Sequence, residues 1–211
     1  MPGAWELPRP SLFLAVLTRG IVPTAWAVAF RQLRLPPASD VFLYSGYQTD
    51  DTRNRAVAAA LERGHEWMGF LDDDVIPPAD AFEHLTGHGL DLVSGLYCKR
   101  MDAFTPVAMT GPPLVPIGGY RAGETLRVAA VGAGCLVIHR RVLEAVARPW
   151  FEWRGSREDL PPEARLSEDF EFCRKVREAG FGLWVDTLVA CRHAGWGAAE
   201  VPGRFTPLGV V

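Results

Sequence analysis

Trp67-Met68-Gly69-Phe70-Leu71-Asp72-Asp73-Asp74 is the stretch that decides the reading of this 211-residue chain. Its apolar run reads as a buried strand, and the strand ends in three consecutive carboxylates. Packed like charges repel and resist ionising together, so something must neutralise them. A divalent cation carrying bound phosphates would do so. Asp72 and Asp74 form D-x-D, and in an extended segment residues two apart point to one side. On that geometry the two converge on one ligand and Asp73 faces away. An acidic strand-to-loop turn is the plain alternative, since Asp favours turns.

Outward from this stretch the first half alternates strand and helix. Leu12–Leu17 and Val41–Tyr44 read as strands before Trp67–Leu71, and Leu90–Leu96 as a fourth after it. Between them lie three helices. One runs from about Thr24 to Leu33 and is stopped by Pro36-Pro37. A second is capped by Asp51 or Thr52 and runs to Arg63, with Gly64 as its stop. A third starts at Pro78 and ends near Gly87. The order β-α-β-α-β-α-β predicts a mainly parallel sheet with helices on both faces. Ligands of such sheets bind past the carboxyl ends of the strands, where Asp72–Asp74 lie.

The second half is less regular. Thr105–Tyr120 reads as a Pro- and Gly-rich loop. Leu126–Val131 and Cys135–Ile138 read as strands around the turn Gly132-Ala133-Gly134. A short helix over Arg140–Ala147 leads into an irregular stretch, Arg148–Leu166, of the length that lids and binding loops have. Ser167 caps a helix through about Ala179, stopped by Gly180. Leu183–Val185 and Leu188–His193 read as short strands. One domain is expected over 1–211, with halves of about 11–100 and 101–195 and a tail over 196–211.

Composition narrows the class. With 48% hydrophobic and 22% charged residues the chain is globular. A net charge of −3 with no basic block argues against nucleic acid as the main partner. Cys98, Cys135, Cys173 and Cys191 form no C-x-x-C, so free buried thiols are expected. Arg19 and Pro23 interrupt the apolar segment Leu12–Phe30, and Glu6 stands where a leader would be basic. No transmembrane segment is expected, and the localisation expected is cytoplasmic, with peripheral attachment to the inner membrane face left open. Oligomeric state is left open too.

Several residues suit chemistry. On the helix from Ser167, Asp169 begins the stripe Asp169-Phe172-Cys173-Val176 and so faces inward, whereas Glu168 points elsewhere. An inward carboxylate beside a sheet end is a reasonable general base; a first-turn acid also complements the helix dipole. Arg53 heads the core-side stripe Arg53-Val57-Ala60-Leu61 and needs a partner, which a diphosphate, Asp50 or Asp51 would supply. His193 ends an apolar strand, as a structural histidine or a metal ligand. Trp150 and Trp153 either stack on a sugar or anchor a small core of their own. Lys99-Arg100 either meet phosphate or are solvated.

Taken in order, the nucleotide-type half, Phe70-Leu71-Asp72-Asp73-Asp74, the Gly-rich stretch Val131–Ile138, Ser167-Glu168-Asp169-Phe170 and His193 resemble the GT-A glycosyltransferases of the family-2-like inverting type. The resemblance spans about Leu12 to Gly195. It implies an α/β GT-A fold: a Rossmann-like nucleotide-binding half, a mainly parallel sheet flanked by helices, and a less regular acceptor half. It implies a Mn2+ or Mg2+ cofactor held by Asp72, Asp74 and His193, and a nucleotide-diphosphate sugar donor bound by Thr18, Arg19, Arg53, Asp72, Asp73 and Lys99. A hydroxyl-bearing acceptor is implied at Gly134, Trp150, Trp153 and Glu168, with Asp169 taking its proton. Leu43-Tyr44-Ser45-Gly46-Tyr47 replaces the aspartate pair many members carry after the second strand, so no donor base is assigned. The Q-x-x-R-W motif of processive synthases is missing, which favours single transfer. The alternatives are a sugar-phosphate nucleotidyltransferase, whose signature Leu17-Thr18-Arg19-Gly20-Ile21 matches poorly, and a non-catalytic nucleotide-sugar or glycan-binding protein.

Overall fold

The computed structural model describes residues 12–46, 48–100, 102–194, 198–200 and 204–206, so Tyr47 and most of the 196–211 tail lie outside the described residues. The first half supplies β1 (Leu12–Thr18), α1 (Thr24–Gln32), β2 (Asp40–Ser45), α2 (Thr49–Arg63), β3 (Trp67–Asp72), the two-residue β4 (Val75–Ile76), α3 (Ala81–Gly87) and β5 (Leu92–Leu96). The second half supplies β6 (Cys98–Lys99), β7 (Asp102–Pro106), β8 (Ala108–Thr110), β9 (Val115–Pro116), β10 (Thr125–Arg127), β11 (Ala130–Val131), β12 (Cys135–His139) and α4 (Arg140–Ala145). After a 3-10 turn at Pro162–Ala164 come α5 (Glu168–Glu178), β13 (Trp184–Ala190), β14 (Arg192–Ala194), β15 (Ala198–Glu200) and β16 (Arg204–Thr206).

Among the described residues the central sheet has seven strands in the order β10-β13-β5-β12-β3-β1-β2. β2, β1 and β3 are mutually parallel, as are β13 and β5, whereas β12 runs antiparallel to both β3 and β5. β10 is antiparallel to β13 at the edge. The expected parallel α/β sheet is therefore present, with two reversed strands contributed by the second half. β1 sits between β2 and β3, and its residues Leu12–Val16 are fully buried, as a continuous apolar run requires.

Strand alternation splits the core between the two faces. Phe13, Ala15, Met68 and Phe70 pack under Ala56, Val57 and Ala60 of α2 and Phe172 and Val176 of α5. Leu12, Leu14, Val16 and Leu71 pack under Trp26 of α1 and Ala81, Phe82 and Leu85 of α3. The result is a helix–sheet–helix sandwich. Gly64 closes α2 with a left-handed φ of 80°, a conformation that glycine adopts without steric cost.

The structure differs from the sequence reading in the second half. Thr105–Tyr120 is not all loop: β8 pairs with β9 and with β11, and β7 pairs with β6. Gly132-Ala133-Gly134 is not a hairpin turn. It carries the chain from β11 in the small sheet to β12 in the central one. Short paired segments separated by Pro and Gly carry too little periodicity to be distinguished from loop. Leu183–Val185 and Leu188–His193 are instead β13, whose pairing with β5 is irregular between Asp186 and Ala190, followed by β14. No helix among the described residues is long and apolar enough to cross a membrane.

Gly95 in β5 shows how closely β13 approaches. A Cβ there would lie 2.9 Å from Val189 Cγ1 and 3.0 Å from the Val189 carbonyl oxygen. Gly95→Ala should cost about 1–3 kcal/mol in urea denaturation. Gly118→Ala, where the added Cβ meets open space, should stay within about 0.5 kcal/mol of wild type.

Candidate active site

β3 ends at Asp72, and the chain turns at Asp73 and Asp74 into β4. The three carboxylates are brought together by this turn and not by strand alternation, so Asp73 is not directed away. All three line a cleft of about 290 Å³ with Leu17, Thr18, Arg19, Tyr44, Gly46, Thr49, Thr52 and Arg100. The cleft opens past the carboxyl ends of β1, β2 and β3, the position expected for a parallel sheet.

Each aspartate has its own partner. Asp72 accepts from Arg53 Nη2 at 3.0 and 3.2 Å. Asp73 is buried and accepts the Arg19 backbone N–H at 2.9 Å. Asp74 pairs with the partly exposed Arg100. Its carbonyl accepts the Ala194 N–H at 2.7 Å, and β4 pairs with β14 so that Val75 lies opposite His193. This pairing brings His193 beside Asp74, behind the cleft wall and not in its lining, although the two segments are distant in sequence. His193 Nε2 stands 3.5 Å from Asp74 Oδ1, and its Nδ1 lies 2.8 Å from the Cys98 carbonyl oxygen.

A carbonyl can only accept, so Nδ1 carries the His193 proton. Burial above all, and then the Arg100 charge, push the imidazole below its usual pKa, which keeps it neutral near pH 7. The lone pair of Nε2 therefore faces a carboxylate oxygen. Two acceptors facing each other lack only a cation between them, and an imidazole nitrogen with a carboxylate oxygen is a donor set that Mn2+ accepts. By this test Asp74 and His193 fit the metal role.

Arg53 lies beneath the cleft and does not line it. Its guanidinium is buried, donates to the Ala133 carbonyl at 3.3 Å and stacks over the Phe70 ring at 5.0 Å. Nε lies 3.7 Å from Glu168 Oε1. Burial opposes its charge, but Asp72, Glu168 and Asp169 together outweigh that and hold it protonated. The expected anionic partner is thus met by the protein itself, from neither a diphosphate nor Asp50 or Asp51.

Glu168 does not point elsewhere: it is the more buried member of the Glu168-Asp169 pair. Asp169 is half-buried at the start of α5, where its Oδ1 accepts from Ser167 Oγ and from the Phe170 N–H at 2.8 Å. Arg53, Asp72, Glu168 and Asp169 form one electrostatic cluster, of which Asp72 lines the cleft and the other three, Asp169 included, do not.

The expected acceptor residues fare differently. Trp150 is 3% exposed, and its indole donates to the Leu143 carbonyl at 2.8 Å, so it is a core anchor and not a sugar platform. Trp153 is 53% exposed, and its backbone N–H reaches Asp50 at the start of α2. Gly134 is buried beneath Tyr97: its N–H meets the Tyr97 hydroxyl at 2.9 Å, and its carbonyl accepts the Asp72 N–H. A Cβ on Gly134 would lie 2.7 Å from Val75, so close packing accounts for the glycine. Lys99 is exposed and off the cleft, whereas Arg100 beside it reaches in. Tyr44, Thr49 and Thr52 were not expected there; their place past the end of β2 was the available signal.

Burial first, and then the Asp169 charge, hold the Glu168 carboxyl above its usual 4.5. A carboxyl raised on folding adds stability below its unfolded pKa and loses it as pH rises through the folded value. Glu168→Gln should therefore flatten the fall in stability just above pH 4.5, compared with wild type by urea denaturation across pH.

No protein-family profile matches this chain, and no curated protein matches it. Solved structures do. A197 from STIV superposes with a TM-score of 0.68 at 16% identity, covering 95% of each chain. Residues 1–349 of TarS from S. aureus, solved in complex with UDP-GlcNAc, superpose with a TM-score of 0.47 at 13% identity, covering 84% of this chain and 56% of that one. The likeness to A197 extends over nearly the whole chain and is a likeness of fold: a mixed α/β sheet flanked by helices, of the GT-A type.

Proposed function

We propose that this chain is a metal-dependent glycosyltransferase, moving a sugar from a nucleotide-diphosphate donor to an acceptor hydroxyl with inversion. The observation that carries the reading is His193 Nε2 standing 3.5 Å from Asp74 Oδ1, its Nδ1 against the Cys98 carbonyl, past the carboxyl ends of the parallel strands β1, β2 and β3.

In this reading Asp74 and His193 hold Mn2+ or Mg2+, and Asp72, fixed by Arg53, orients the group beside them. When bound, the ion supplies charge neutralisation for the departing nucleoside diphosphate. Arg100 and Arg19 are the exposed cations that line the cleft, and Arg100, which pairs with Asp74, would meet a donor phosphate there. Thr18 also lines the cleft. Tyr44, at the end of β2, offers a ring to the nucleotide base.

Asp169 takes the proton of the acceptor hydroxyl as its oxygen attacks the anomeric carbon; the bond to the diphosphate breaks on the opposite side. Asp169 suits this role better than Glu168, which Arg53 engages and whose carboxyl burial holds toward the protonated form. Trp153 is the exposed aromatic available to an acceptor sugar.

The test is a thermal-shift panel of UDP, GDP, ADP and dTDP with and without Mn2+. One nucleotide should stabilise the protein only with metal, by about 2.7 kcal/mol at a hundred times its Kd. Asp74→Asn should remove that shift. Asp169→Asn should keep it and lower transfer by about 10²–10⁴. Wild-type turnover in Asp169→Asn would overturn the base assignment. Binding without any metal-dependent hydrolysis or transfer of the sugar nucleotide would favour a non-catalytic binding protein.

A further inference from the structure

Apart from the cleft, three side chains from two elements meet at one point. His84 lies in the last turn of α3 and His88 caps its end, so their spacing of four puts both rings on one face. Their Nε2 atoms reach a single oxygen, Asp186 Oδ2 of β13, at 3.2 and 2.7 Å. The rings meet edge to face with centroids 5.3 Å apart. None of the three residues lines the cleft.

The burial is asymmetric. The Asp186 side chain is 1% exposed, whereas those of His84 and His88 keep 39% and 25% of their surface. The second carboxylate oxygen, Oδ1, accepts the Leu188 N–H at 2.8 Å, which fixes the plane of the group. A nearly inaccessible carboxylate, oriented from behind by an amide and faced from the front by two imidazoles, has the layout of a ligand with its outer-shell partner.

We propose that His84, His88 and Asp186 bind a Zn2+ ion, tying the end of α3 to β13. The candidate ligand atoms all lie within 4.8 Å of one another. Zinc with ligands at 2.0–2.1 Å in a tetrahedral site holds its ligand atoms about 3.3 Å apart, so small ring shifts suffice to admit it. Imidazole is a borderline-soft donor that suits Zn2+, Cu2+ or Ni2+ better than Mg2+. Each histidine then keeps its proton on Nδ1 and offers the Nε2 lone pair. The partly exposed rings leave the fourth position to water or to another ligand from solvent.

The experiment uses the whole chain, freed of metal with a chelator and titrated with Zn2+ against a chromophoric competitor. Wild type and Asp74→Asn should both bind one tight equivalent. His84→Ala and His88→Ala should each weaken it by at least about 100-fold, with far-UV circular dichroism unchanged at these partly exposed positions. Co2+ loaded in place of Zn2+ should give the visible bands of a tetrahedral ion in wild type and lose them in either histidine variant. Equal zinc affinity in wild type and both histidine variants, or no tight equivalent in wild type, would overturn the site and leave a hydrogen-bonded triad. Loss of the equivalent in Asp74→Asn alone would assign the ion to the cleft instead.

Discussion

The buried guanidinium of Arg53 is the constraint on which the site depends. It joins α2, the end of β3, the turn before β12 and the start of α5 through Asp72, the Ala133 carbonyl and Glu168. Its flat faces lie against Phe70 and Phe151, an arrangement that arginine tolerates and lysine does not. Removing one member of a buried ion pair costs about 3–5 kcal/mol, because the remaining charge is left without compensation. Here loss of the cation would strand two carboxylates. The same group that closes the core therefore also fixes Asp72 at the floor of the cleft.

This arrangement resolves the repulsion expected of three adjacent aspartates. Asp72 is neutralised from below by Arg53, Asp73 is held by the Arg19 amide, and Asp74 is met from solvent by Arg100. The partners differ in how readily they exchange. Arg53 is locked by packing, and the donor to Asp73 is a main-chain N–H, that of Arg19 just after β1. Arg100 is a side chain 41% exposed, on the segment after β5, paired with a carboxylate that is 14% exposed. Of the three carboxylates, Asp74 is thus the one whose partner is neither packed in the core nor part of the main chain. His193 faces that same carboxylate.

Much of this was legible in the sequence, for reasons that separate local from long-range information. The alternation in the first half, the stop at Gly64 and the carboxylates at the end of β3 follow from patterns within a few residues of each other. The inward stripe beginning at Arg53 was visible, but its partners were not: Asp72 is 19 positions away and Glu168 farther still. Helical spacing put Asp169 on the core face and turned Glu168 away, yet a first-turn residue at a helix start can fold back toward a neighbouring cation. Trp150 and Trp153 looked alike in sequence. One enters the core and the other stays at the surface, because only Trp150 finds a buried acceptor, the Leu143 carbonyl, for its indole N–H. The β4–β14 pairing that delivers His193 involves two or three residues on each strand, too few to leave a periodic trace.

The Glu168-Asp169 pair divides its labour by depth. Glu168 is close to Arg53 and largely withdrawn from solvent, so its carboxyl is both engaged and disposed to keep a proton. Asp169 is less buried, and a main-chain N–H and the Ser167 hydroxyl donate to it at the start of α5. In the proposed mechanism Glu168 therefore serves the structure through Arg53, and Asp169, the less buried carboxylate, is the one left to meet an acceptor hydroxyl.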